Sequence, residues 1–211
     1  MKYGPRVIFY KIPDNQRRRE DKQPVRVKQR KQRSGKSQDT RQYSVLYSTQ
    51  EKIRRIAARI SEDYQGKVVH LVSVLKGSVF FTCELAKRIT VPVTMDFMSV
   101  SSYGDQTESS GVVRIVKDLD VPLEGKDVLV VEDIIDTGRT LHYLMNILRD
   151  RGPASLRLAA LLDKPDRRVV TVEADYTCFQ VPDEFVVGYG LDCAQQYRNL
   201  PYIGVIESES K

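Results

Sequence analysis

At 211 residues, 41% of them hydrophobic, the chain has room for one domain with a sizeable core and an appendage. No apolar run approaches the ~18 residues of a membrane span, and the basic N-terminus lacks an apolar block of signal-peptide length, so a cytoplasmic protein is expected rather than a membrane or secreted one. The net charge of +6 is uneven: residues 1–43 hold 14 Lys and Arg against 4 Asp and Glu, and the remainder 20 against 24, so all the basicity belongs to the first segment.

Residues 11–42 are polar, rich in Arg, Lys and Gln, and free of aromatics. Such a stretch buries too little apolar surface to offset its ordering entropy, so residues 1–43 are expected to form a disordered basic extension ahead of a folded domain spanning 44–211. The functional alternative is an arm with weak, salt-sensitive polyanion contacts; without aromatics it is no stacking platform for single strands. The abrupt change near Tyr43 also raises the hypothesis that translation starts downstream, which the intact mass of the native protein decides.

Order is expected from about Ser44. Ser48 and Glu51 have capping-box spacing, and Ile53, Ile56, Ala57, Ile60 and Tyr64 form one apolar helical stripe, ended by Gln65-Gly66-Lys67. Val68–Leu75 is a strand-length apolar run. Lys76-Gly77-Ser78 follows it and opens a helix from Val79 to Ile89. Val93–Val100 is a further strand. The polar stretch from Ser101 to Gly111, which includes Ser102 and Tyr103, is either a functional lid with two glycine hinges or an ordinary flexible hairpin. Val112–Val116 then returns as a strand.

Val128–Val131 is a continuous β-branched and leucine run, the kind buried on both faces of a parallel sheet. Glu132 and Asp133 follow it. After Ile134 and Ile135 comes the loop Asp136-Thr137-Gly138-Arg139-Thr140, and then the helical stripe Leu141, Leu144, Met145, Leu148. Backbone N–H groups of a loop that opens a helix converge on one point, where the helix dipole also favours an anion. Thr137 and Thr140 offer hydroxyl donors, and Gly138 permits close approach. The acids just upstream would repel that same phosphate; they suit sugar hydroxyls or a magnesium ion carried in by more phosphate. The alternative is a solvated acidic loop at a strand end. Because parallel strands point their C-terminal ends one way, the loops at Lys76 and Asp136 share a rim, and two anion sites there suggest a ligand with phosphates at both ends.

Ser155–Leu162 is another buried strand and delivers Asp163-Lys164-Pro165 to that rim. Phe185-Val186-Val187 lies at the centre of a last apolar block that ends at Asp192, and Arg198 follows. Cys83, Cys178 and Cys193 have no metal-ligand spacing and are expected as reduced, mostly buried thiols. His70 and His142 neighbour no plausible nucleophile and are read as structural.

The string Glu132-Asp133-Ile134-Ile135-Asp136-Thr137-Gly138 resembles the signature of the type I phosphoribosyltransferases, and of their hypoxanthine-guanine branch in particular. Motifs at five places between Ser44 and Ile206 resemble that family in the right order. The resemblance implies an α/β fold, a central parallel sheet flanked by helices, with a small hood built from the two ends of the chain. It implies purine salvage: magnesium-dependent transfer of the 5-phosphoribosyl group from phosphoribosyl pyrophosphate to hypoxanthine or guanine, giving IMP or GMP and pyrophosphate. It further implies that Lys76 and Gly77 form a pyrophosphate loop, with a cis peptide before the lysine, and that Ser102-Tyr103 cover the reaction centre. Ile135, Thr137, Gly138, Arg139 and Thr140 belong to the implied ribose-phosphate loop, although Arg139 itself is uninformative. Glu132 and Asp133 would hold ribose hydroxyls and a Mg2+ ion, Asp192 a second Mg2+, and Arg198 the pyrophosphate. Lys164 would donate to the exocyclic oxygen of the purine, Phe185 would stack on it and Val186 would pair with its edge. Asp136 is the expected proton acceptor. A homodimer or homotetramer is expected by the same resemblance. Two alternatives remain open: transfer to xanthine or a pyrimidine, and a nucleic-acid-binding regulator that keeps the fold.

Overall fold

The computed structural model describes residues 7–9, 37–102 and 113–206. Their elements run β1 (Val7–Phe9), α1 (Ser37–Asp63), β2 (Val69–Leu75), α2 (Val79–Ala86), β3 (Val93–Ser102), β4 (Val113–Lys117), β5 (Asp127–Ile135), α3 (Arg139–Arg149), β6 (Ser155–Asp163), a 3-10 turn (Pro165–Arg167), β7 (Tyr176–Gln180), β8 (Val186–Val187) and β9 (Gly204–Ile206). Six strands form one sheet in the order β4-β3-β2-β5-β6-β7, in which only the β3–β4 pair is antiparallel. The order reverses direction at β2 and β5, so the loops after these two strands flank a crevice at their C-terminal ends, the usual ligand position in an open α/β sheet. A second, antiparallel sheet, β1-β9-β8, forms the hood.

The uninterrupted apolar run of β5 follows from burial on both sides. Leu129 and Val131 pack with Ile53, Ile60, Leu71 and Phe81 on the α1 and α2 side, whereas Val128 and Val130 pack with Met98, Leu144, Leu148 and Leu158 on the α3 side. All of these are buried. No helix among the described residues is long and apolar enough to cross a membrane.

Several boundaries differ from the sequence reading. The first helix begins at Ser37, so Ser48 and Glu51 lie in its interior and cap nothing; from Lys36 to Asp63 there is neither Gly nor Pro to stop it. The helix after Lys76 ends at Ala86 rather than Ile89, ahead of three β-branched residues, Ile89 to Val91, and Pro92. The extension expected to be disordered contains Val7–Phe9, whose Val-Ile-Phe sequence suits a strand and which pairs with Gly204–Ile206. β5 continues to Ile135, so Glu132 and Asp133 sit in the strand, because Ala160 and Leu162 of β6 go on pairing with Glu132 and Ile134. The three cysteines are free, but only Cys178 is buried; Cys83 is exposed and Cys193 half-buried. His70 is buried with Nδ1 2.8 Å from Thr94 Oγ1, and His142 lies on the exposed face of α3. Tyr103 and the remainder of the expected lid up to residue 112 lie outside the described residues, as does the side chain of Ser102.

Candidate active site

Two loops and the hood meet at the strand-end rim. The Leu75–Lys76 peptide is cis. Gly77 follows, and a Cβ there would fall 1.6 Å from Asp133 Oδ2, so the backbone lies directly on that carboxylate. Gly190, at φ +104, leaves equally little room: its Cβ would fall 1.9 Å from the Gly77 carbonyl. Arg198 donates from Nη1 to the Gly190 carbonyl at 2.8 Å and pairs through Nη2 with Asp192 Oδ1 at 2.7 Å. Lys76-Gly77, Asp133, Asp192 and Arg198 are thus linked through successive contacts into one corner. Tyr189, Ala194, Gln195 and Tyr197 in the adjoining loop all have positive φ, a conformation that costs a non-glycine residue ~1–3 kcal/mol and clusters where ligands bind.

The second corner is the loop between β5 and α3. Gly138 is the N-cap of α3 at φ 83, and a Cβ on it would meet the Val170 carbonyl at 2.4 Å, so glycine is required both by conformation and by space. A cavity of about 230 Å³ opens here, lined by Glu132, Ile135, Asp136, Thr137, Gly138 and Thr140, with Val74, Val100, Leu141 and Leu144 as its apolar side. Arg139 is exposed and does not line it.

Glu132 and Asp133 lie between the corners. Burial pushes the Glu132 carboxyl well above the ordinary range and the neighbouring Asp133 adds to it, while Glu132 Oε2 is sealed from solvent without a hydrogen-bond partner. Burial also raises Asp133, against the N–H of Ile134 and the charge of Arg198, which favour its ionised form. An unpartnered buried carboxylate oxygen facing a cavity fits a group that arrives from outside, such as a sugar hydroxyl or a cation. Magnesium fits this donor set, since it binds through one or two carboxylates and otherwise keeps water and phosphate oxygens. Among the described residues no three His, Cys, Asp or Glu side chains cluster as a metal cage. The Asp192 oxygens are engaged by Arg198 and by the Gln195 N–H at 2.8 Å.

The third corner lies after β6. Lys164 is 8% exposed, a rare burial for a lysine, and its N–H donates to the Ile135 carbonyl at 2.9 Å. Val186 is buried in β8, whereas Phe185 beside it leaves 56% of its surface exposed, an open aromatic face. Asp136 is held by Arg167, whose Nε lies 3.0 Å from Asp136 Oδ1 and whose Nη1 lies 3.5 Å from Asp183 Oδ2. Arg168 bonds Asp163 and the Asp136 carbonyl. Sequence reading did not single out either arginine; the only signal was their adjacency just past Asp163-Lys164-Pro165.

Fold and rim together define an α/β domain arranged to hold phosphorylated ligands at its strand ends. Residues 42–194 match the family model described as the phosphoribosyl transferase domain. A hypoxanthine-guanine phosphoribosyltransferase of Streptococcus mutans is 52% identical over 168 residues, which are 78% of this chain and 93% of that protein. The crystal structure of a hypoxanthine phosphoribosyltransferase from Staphylococcus aureus matches with TM-score 0.75 at 48% identity, covering 77% of this chain and 89% of that one. The Trypanosoma cruzi hypoxanthine phosphoribosyltransferase, in a ternary substrates complex, matches with TM-score 0.75 at 42% identity over 78% of this chain and 94% of that one. The chain belongs to the phosphoribosyltransferase family.

Proposed function

We propose that the chain transfers the 5-phosphoribosyl group from phosphoribosyl pyrophosphate to hypoxanthine or guanine, releasing pyrophosphate and giving IMP or GMP. The observation that carries the reading is the convergence of three chemically different corners on one rim, with the orphaned Glu132 oxygen between them. The donors of the Asp136–Thr140 loop suit the 5-phosphate, and Lys76-Gly77 with Arg198 suit the pyrophosphate. Glu132 and Asp133 suit the ribose hydroxyls.

Breaking the bond from the anomeric carbon to pyrophosphate leaves a cationic sugar and an anionic leaving group. Arg198 and the backbone of Lys76-Gly77 stabilise the anion, and the Glu132–Asp133 carboxylates face the cation. Glu132 and Asp133 are the residues that would hold a magnesium ion, which would supply charge neutralisation for the leaving group. The purine attacks through an imidazole nitrogen whose proton passes to Asp136. Lys164 donates to a 6-oxo group, which disfavours adenine because its amino group is itself a donor. Phe185 offers a stacking face and the Val186 backbone an edge to pair.

Pyrophosphate release, measured with hypoxanthine, guanine, xanthine, adenine and uracil in turn, tests the reading. Turnover with the first two and none with adenine or uracil is expected; a pyrimidine or adenine preference would overturn it. A second activity, weak polyanion contact through residues 1–43, is supported by the charge asymmetry of the chain.

A further inference from the structure

We infer that Arg168 is a positioning residue, which fixes the Asp136 loop against the Asp163–Lys164 turn so that proton acceptance and base recognition are held at one separation. The inference rests on the function proposed above. The Arg168 guanidinium reaches two loops at once. Its Nη2 pairs with the Asp163 carboxylate, immediately before Lys164, and its Nη1 donates to the backbone carbonyl of Asp136. The two side chains of that pair are 16% and 17% exposed, so salt and water screen it much less than a surface pair. The planar fork of a guanidinium makes both bonds in fixed geometry, whereas a lysine ammonium in the same place offers a point charge without the fork.

The segment around Arg168 is laid along the same loop by its backbone. The N–H groups of Val169 and Val170 donate to the Thr137 carbonyl at 2.9 and 3.1 Å, and the Lys164 N–H donates to the Ile135 carbonyl at 2.9 Å. Arg168 Cδ lies 3.2 Å from where a Gly138 Cβ would stand, so nothing separates the arginine from the loop. Arg167 grips the other end of the same aspartate, its carboxylate, but at 45% exposure and with Asp183 as a second partner. Arg167 is thus able to yield Asp136 to an arriving base, while Arg168 keeps the backbone of Asp136 in register with Lys164. A misplacement of ~1 Å at a reacting group costs on the order of 100-fold in rate, which sets the scale for losing this bond.

Steady-state kinetics and melting temperature of Arg168→Lys test the inference. The expected result is a kcat lowered about 10-fold or more, a KM for phosphoribosyl pyrophosphate that rises by less than kcat falls, and little change in melting temperature. A double variant, Arg168→Gln with Asp163→Asn, removes both charges of the half-buried pair and serves should the lysine variant fold poorly; its stability is expected to recover while its kcat stays low. A folded Arg168→Lys enzyme with unchanged kcat, or a double variant that regains kcat together with stability, would overturn the role of Arg168 and leave the proposed function standing. An unmodified chain that turns over neither base would overturn both, since a positioning residue needs a reaction to serve.

Discussion

Glu132 shows how a binding site weakens the protein that carries it. Its folded carboxyl titrates well above the ordinary 4.5 because it is buried beside Asp133. The folded state therefore binds this proton more tightly than the unfolded chain does; the contribution to stability is present below about 4.5 and is lost as pH rises through the folded value. At neutral pH the buried Glu132 carboxyl is destabilising, so Glu132→Gln is expected to raise the melting temperature at pH 7 to 8, with a margin over the unmodified chain that shrinks on acidification. A margin independent of pH would contradict this. His70 works in the opposite sense: burial lowers its pKa, so both proteins lose stability as pH falls below about 6.5, and the difference between them cancels that loss. Asp136→Asn should keep the fold and lower turnover by ~10²- to 10⁴-fold, the usual size of a general-base loss; full activity would remove Asp136 from that role. The placing of Lys164 and Asp136 at the rim was legible in the sequence because each follows or closes an apolar strand run, whereas Phe185 was singled out only through the family resemblance. Arg168 was not, since its significance depends on Asp163 and Asp136, which reach it through the folded backbone rather than through spacing.

At the scale of elements, the rim is built on close backbone approach. Gly190→Ala places a Cβ against the Gly77 carbonyl at a φ of +104, and both clash and conformation oppose it. A loss of more than about 1 kcal/mol in denaturant unfolding is expected, together with a higher KM for phosphoribosyl pyrophosphate; a variant as stable as the unmodified chain would show that the loop carrying Arg198 can move aside. The strands β2, β5 and β6 were legible as apolar runs because both faces of each are covered. The end of β5 was not, because two carboxylates read as a loop until β6 is known to pair alongside them. β7 has only five residues and β8 only two, too few for a periodic signal, and the start of α1 lay beyond a capping pattern that turned out to be interior.

For the whole molecule, the excess of positive charge is confined to residues 1–43 and the remainder is net negative, which gives the proposed polyanion contact a direct test. Replacing Arg17, Arg18 and Arg19 with Gln should weaken RNA retention on filters and reduce its salt slope, by up to about 3 if all three contact phosphate, while turnover stays unchanged. Retention that ignores both salt and these arginines would argue against an electrostatic arm. The enzyme and its hood remain tied together through β1 and β9, which join the two ends of the chain beside the strand that carries Val186. The account depends on one ligand lying across one rim, and diffraction from crystals grown with GMP, magnesium and pyrophosphate tests that most directly. The account predicts the 5-phosphate on the Thr137–Thr140 loop, the ribose hydroxyls at Glu132 and Asp133, and the purine against Phe185 with its oxygen at Lys164. A nucleotide bound away from the strand ends, or a phosphate and base held on separate surfaces, would contradict it.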